Sequence, residues 1–139
     1  MTKVDFYILS DKHTGLEFTS RLTEKIYRQG YHLHIHAADA SMAERLDMLL
    51  WSYRDISFIP HERTLDATAN TPVTIGHNES APACDEILIN LANDVPKFFS
   101  RFERVVEIVD ADNSHRQQGR VRYMYYRDRG YELTNHEID

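Results

Sequence analysis

The sequence is poor in the features that most directly announce a chemistry. It has one cysteine, Cys84, in 139 residues, so an internal disulfide is excluded and so is a cysteine-based zinc site. The low cysteine content fits a reducing compartment. No run of apolar residues approaches the roughly 20 needed to cross a bilayer. Met1-Thr2-Lys3-Val4-Asp5 leads straight into a strand-like pattern without the basic and then apolar run of a signal peptide, so a cytoplasmic protein is expected. Neither Gly-x-Gly-x-x-Gly nor Gly-x-x-x-x-Gly-Lys-Ser/Thr occurs, and the first strand is followed by Ser10-Asp11-Lys12-His13-Thr14-Gly15 with a single glycine. Phosphate cradling, and with it ATP or dinucleotide use, is unsupported. A Gly-x-Ser-x-Gly elbow is missing too, and Cys84 stands between Ala83 and Asp85 without the signature of a nucleophile. No cofactor is expected. Positive charge is also scarce: 16 Lys and Arg against 22 Asp and Glu leave a net charge of −6, which argues against phosphate-backbone binding as the main task.

The content that remains is that of one globular domain spanning 1–139, with 42% apolar and 27% charged residues and eight tyrosines. Val4-Asp5-Phe6-Tyr7-Ile8-Leu9 reads as a strand, and Leu16, Phe18, Leu22, Ile26 and Tyr27 then recur at helical spacing until Gly30. Tyr31 to Ala37 alternates strictly, and a second helix follows through Met42, Leu46, Leu49 and Leu50. Two strand–helix repeats with short connections imply right-handed crossovers and a parallel sheet. Residues 52 to 71 show no sustained period and are expected to be a long surface loop. Pro72 to Gly76, Asp85 to Leu91 and Val105 to Asp110 read as further strands, Pro96 to Phe102 as a helical turn packing its phenylalanines, and about 112 to 129 as a last helix ended by Gly130, with a short tail. The expected architecture is an open, mostly parallel α/β sheet of about five strands with helices on both faces, Rossmann-like but without a nucleotide motif. Such folds host many activities.

Several side-chain groups then compete for attention. His32, His34 and His36 project from one face of the second strand, where three imidazoles suit zinc or nickel; the bland reading is that they form the more polar face. Asp11, Asp39, Asp110 and Asp112 follow strands, where carboxylates hold magnesium or act as acid and base, but acids are also favoured there as helix caps. A metal-dependent α/β enzyme using Asp11, Asp110 and Asp112 is the competing function. The last helix carries a sharper pattern. From His115 to Arg129 five arginines (116, 120, 122, 127 and 129) face one acid, Asp128, a local balance of +4 that leaves −10 on the rest. Arg116, Arg120, Tyr123 and Arg127 fall on one stripe at 100° per residue, whereas Val121, Met124 and Tyr125 are expected in the core. Guanidinium groups beside an aromatic ring suit an acidic peptide with an apolar end; a solvated basic face remains the alternative. Trp51, Phe58, Pro60 and His61 make a second, aromatic group in an irregular stretch, as a protein-docking anchor would.

These residues carry a family resemblance. Leu46-Asp47-x-x-Leu50-Trp51, Ser57-Phe58-Ile59-Pro60-His61, Pro72-Val73-x-Ile75, Asp85-x-x-Leu88-Ile89-Asn90-Leu91 and the closing Arg/Tyr helix resemble, in order, the chi subunit of bacterial DNA polymerase III holoenzyme. Phe6-Tyr7-Ile8-Leu9 fits as well. The resemblance implies a non-catalytic replication adaptor. It would pair with the psi subunit, and through psi with the clamp loader, and bind the acidic C-terminal tail of single-stranded-DNA-binding protein, meeting DNA only indirectly. By the same resemblance Trp51, Phe58, Pro60 and His61 face psi, while Arg116, Arg120 and Tyr123, with Met124 and Arg127 beside them, take the tail. Relatives often have a lysine where this chain has Met124, so one charge contact departs from the family pattern; Arg122 or Arg127 is a candidate to compensate.

Overall fold

The computed structural model describes residues 2–52, 61–63, 72–78, 82 and 85–139, with the backbone alone at 51–52 and 61–63. Strand β1 (Lys3–Leu9) is followed by α1 (Gly15–Arg28), β2 (Leu33–His36), α2 (Ala40–Ser52), β3 (His61–Arg63), β4 (Val73–Gly76) and β5 (Ile87–Asn90). A 3-10 turn at Phe99–Arg101 leads to β6 (Arg104–Val109), α3 (Asn113–Asp128) and β7 (Glu132–Ile138). Among the described residues these strands form one sheet in the order β3-β4-β2-β5-β6-β1-β7, and every pairing is parallel. The open parallel α/β class expected from the sequence is therefore present, with two more strands than expected. β3 is only three residues long and lies inside the stretch read as a loop. β7 replaces the expected tail: Glu132-Leu133-Thr134-Asn135-His136-Glu137-Ile138 is too polar to announce itself, as befits an edge strand with little buried surface.

Helices α1 and α2 cover one side of the sheet and α3 the other, so the alternation of each strand feeds two cores. Leu9, Leu33, Ile35, Ile89 and Ile108 meet Ile26, Ala43, Leu46 and Leu50 on the first side. Val4, Phe6, Leu88, Val105 and Val109 meet Phe98, Phe99, Phe102 and Tyr126 on the second. Thr14 caps α1, its hydroxyl accepting the Glu17 N–H at 3.3 Å, and Gly30 ends it with φ of +88°. The fully buried face of α1 is mostly small, Gly15, Thr19, Ser20, Thr23 and Ile26, while Leu16, Phe18, Leu22 and Tyr27 flank it half-buried. Small residues bring the helix close to the sheet, and the larger ones seal its edges.

One expectation about burial needs correction. Val121 and Met124 of α3 are not core residues: they are 69% and 48% exposed, and only Tyr125 is partly buried. The face that packs on the sheet is Gly119, Arg122 and Tyr126. Gly119 decides this, because a Cβ there would stand 2.9 Å from Val109 Cγ2, so the helix turns its bare backbone to β6. The polar face of β2 that carries His34 and His36 lies in the interior, with His32 half-buried just ahead of it. β2 is buried on both sides, and the rings of His34 and His36 meet Phe98 edge-on at 5.8 and 5.5 Å.

Candidate protein-docking surfaces

α3 and the β1–β7 edge of the sheet enclose a groove of about 400 Å³ lined by Phe6, Ile8, Val109, Arg116, Gly119, Arg120, Tyr123, Asn135 and Glu137. Its floor is apolar because β1 and β6 present Phe6, Ile8 and Val109 on the α3 side. Its wall is the stripe read from the sequence. Tyr123 is half-buried with its ring 5.3 Å from that of Phe6, edge to face. Gly119 supplies the space between Arg116 and Tyr123. The opposite rim, from β7, adds Asn135 and one carboxylate, Glu137.

The five arginines of α3 have different fates. Arg116 donates to the carbonyls of Ala111 (2.9 Å) and Leu9 (3.3 Å), which fixes its guanidinium at the groove mouth. Arg122 is buried and pairs with Glu107 at 2.8 Å, so it cannot stand in for the missing lysine at Met124. Arg127 pairs with the adjacent Asp128 at 3.3 Å, and Arg129 lies over the Tyr125 ring, 3.5 Å from its centroid. Arg120 alone of the five is exposed with no partner among the described residues. The structure thus joins Arg116, Arg120 and Tyr123 in one groove, leaves Arg127 outside its lining, and places Met124 on the exposed flank.

Beneath α3, Glu107 is entirely buried. It accepts hydrogen bonds from Arg122 Nε, from the Tyr126 hydroxyl (2.7 Å) and from Asn90 Nδ2 (3.0 and 3.2 Å). Burial pushes its carboxyl above the ordinary value, against the lowering pull of Arg122 and the three donors. Burial, followed by the nearby Glu107 charge, raises the Tyr126 hydroxyl as well. This cluster was not legible in the sequence, because its members come from three elements and an isolated arginine on a basic helix looks solvated.

The second expected surface is only partly in view. Trp51 lies in the last turn of α2 and His61 opens β3, both known by backbone alone. Phe58 and Pro60 fall outside the described residues, as does Cys84.

The remaining candidates have structural partners of their own or stand apart from the groove. Among the described residues no three His, Cys, Asp or Glu side chains gather as a metal site. His34 instead shares a 2.6 Å hydrogen bond with Thr74 Oγ1, and burial, with the neighbouring His36, lowers its pKa to about 3. Asp39 caps α2 through the Met42 N–H at 2.8 Å. Asp112 caps α3 and pairs with the His115 ring, a hydrogen bond that lowers its carboxyl pKa. Asp110 sits against the start of α1, 3.0 Å from where a Gly15 Cβ would be, and Asp11 is exposed in a turn. A larger cleft of about 790 Å³ opens beside α1 at the other end of the strands. Much of its charge is committed internally: Asp5 to Arg104 and His136, Lys3 to Glu132, and Glu86 to the His32 N–H.

With this geometry in hand, residues 1–134 match the family model described as DNA polymerase III chi subunit, HolC. The chain belongs to that family. The chi subunit of Pseudomonas aeruginosa is 38% identical over 140 aligned residues, covering 99% of this chain and 98% of the relative. That of Escherichia coli is 31% identical over 142, covering 96% and 97%, and that of Haemophilus influenzae 28% over 137, covering 96% and 95%. A chi subunit is an accessory component of a replicative polymerase. No helix among the described residues is long and apolar enough to cross a bilayer.

Proposed function

We propose that this chi-family chain is a non-catalytic adaptor with two docking surfaces in a single domain. One, around Trp51, Phe58, Pro60 and His61, pairs with psi and through it with the clamp loader. The other, the α3 groove, takes the acidic C-terminal tail of single-stranded-DNA-binding protein. The observation that carries the second assignment is Arg120: an exposed guanidinium without a described partner, beside a half-buried tyrosine and above an apolar floor. A terminal carboxylate pairs with Arg116 and Arg120, and the last apolar side chain of the tail packs on Phe6 and Tyr123. Contacts of this kind at a solvent-open rim are weak and salt-sensitive, which suits a hand-over. The psi surface rests on family membership and on Trp51 terminating α2 just ahead of the aromatic stretch.

The test is a pair of variants read against both partners. Losing a charge-assisted hydrogen bond to Arg120→Ala weakens an acidic tail peptide about tenfold, with psi pairing intact; unchanged peptide affinity refutes the groove. Trp51→Ala weakens psi pairing and leaves the peptide bound. Loss of both activities would instead mark Trp51 as a core residue. The metal-dependent enzyme reading has no observation in its favour.

A further inference from the structure

Glu107 is an expensive group to bury, and stability alone does not explain it. Replacing a buried ion pair by apolar residues of similar volume is often neutral or stabilising. What such a pair does supply is direction. Apart from Gly119 seated on Val109, the rest of the α3 underside is aromatic: Tyr126 meets Phe6, Phe99 and Tyr131 edge-on at 6.0, 5.3 and 6.3 Å. Ring contacts of that kind have a preferred but soft geometry, and together with the Gly119 seat they leave the helix some freedom to turn.

The polar cluster does not allow it. Asn90 of β5 holds both carboxylate oxygens of Glu107, so the carboxylate plane is set from the sheet. Oε1 then takes Arg122 Nε and Oε2 takes the Tyr126 hydroxyl, two positions one helical turn apart, and Arg122 Nη1 reaches the Asn93 carbonyl at 3.1 Å. α3 is bolted to the sheet at two points on a single side. At 100° per residue, Arg116, Arg120 and Tyr123 lie about 100° round the axis from those bolts. A turn of about 20° moves a group carried about 6 Å from the axis by about 2 Å. That displacement is enough to break a hydrogen bond.

We propose that Glu107 is a positioning residue for the groove: through Arg122 and Tyr126 it sets the rotation of α3 and so the aim of Arg116, Arg120 and Tyr123. The proposal rests on the reading of the groove as the seat of an acidic tail. It assigns the buried pair to binding rather than to the fold.

The test uses the full chain and a synthetic acidic peptide ending in an aromatic residue. Glu107→Leu with Arg122→Met and Tyr126→Phe removes the bolts at similar volume without orphaning the buried hydroxyl, and its melting temperature is expected at or above that of the parent. Peptide affinity falls about fivefold or more. The deciding measurement is a cycle with Arg120→Ala. That change costs about tenfold in the parent and less than about twofold in the unbolted chain, because a misaimed guanidinium contributes little. An unbolted chain that is folded, binds normally and still loses tenfold on Arg120→Ala overturns the proposal. If that variant does not fold, Glu107→Gln with Arg122→Met, which removes the ion pair while keeping an acceptor for the Tyr126 hydroxyl, is measured by the same cycle and judged by the same criterion. A parent chain that fails to bind the peptide removes the groove reading itself, and is recognised as such because no variant is involved.

Discussion

Gly119→Ala is the substitution that best separates helix propensity from packing in this chain. In an isolated helix the change would be favourable by about 1 kcal/mol. Here the new methyl would stand 2.9 Å from Val109 Cγ2 and 3.1 Å from Cγ1, about 1 Å inside comfortable carbon contact. Val109 cannot swing aside cheaply: it is β-branched, 4% exposed and held in β6 between its neighbours. α3 must lift instead, loosening Tyr126 and the Glu107 cluster. Overpacking of this kind costs about 1–3 kcal/mol, so the net expectation is a loss of about 1 kcal/mol, read as a lower urea midpoint at unchanged slope. The same methyl also intrudes on the groove between Arg116 and Tyr123, and peptide affinity drops with it. Val109→Ala in the same chain restores the room, and the two changes are expected to couple favourably by about 1 kcal/mol relative to the sum of the single variants. A Gly119→Ala protein stabilised by the full propensity gain would refute the close approach as the reason for the glycine.

His34 gives a pH dependence whose direction is set by its depressed pKa of about 3. The folded state holds the ring neutral, while the unfolded chain takes up a proton below about pH 6.5. Stability from this group is therefore complete above pH 6.5 and is lost as pH falls towards 3, by about 2 kcal/mol between pH 7 and 5. His34→Gln, which keeps a partner for Thr74, should flatten that part of the urea-midpoint profile; an unchanged profile would place the titration elsewhere. Tyr126→Phe removes the 2.7 Å donor to the buried Glu107 carboxylate and is expected to cost about 1.5–3 kcal/mol in thermal or urea unfolding. A cost indistinguishable from zero would mean that the carboxylate is satisfied without it.

How far the sequence carried depended on whether a residue's partner was near in sequence. Apolar runs and alternation marked five strands, because β1, β2, β4, β5 and β6 are buried on one or both faces and are made of the residues that burial favours. β3 and β7 were not legible: one is three residues long, and the other, at the edge, needs little apolar content. The stripe of Arg116, Arg120, Tyr123 and Arg127 followed from helical geometry; its first three members line the groove and Arg127 stands outside it. Its buried neighbour face was misread, because the apolar Val121 and Met124 looked like core while Gly119 and Arg122 did not. Only the bulk of Val109 explains the glycine, and only Glu107, from another element, makes the buried arginine tolerable. The buried histidines were similarly opaque, since their cover is Phe98, some 60 residues downstream.

The place of β1 also governs how the chain is assembled. Lys3 pairs with Arg104 on one side and Glu132 on the other, so β1 is synthesised well before either of its neighbours. Until β6 and β7 have been made, Val4, Phe6, Ile8 and Leu9 have no strand beside them, and contacts of such sequence separation form slowly. The interval exposes an apolar, β-prone segment to other chains. Loss of the polar last strand would then uncover one side of β1 and part of the tail groove together, tying completion of the fold to readiness for binding.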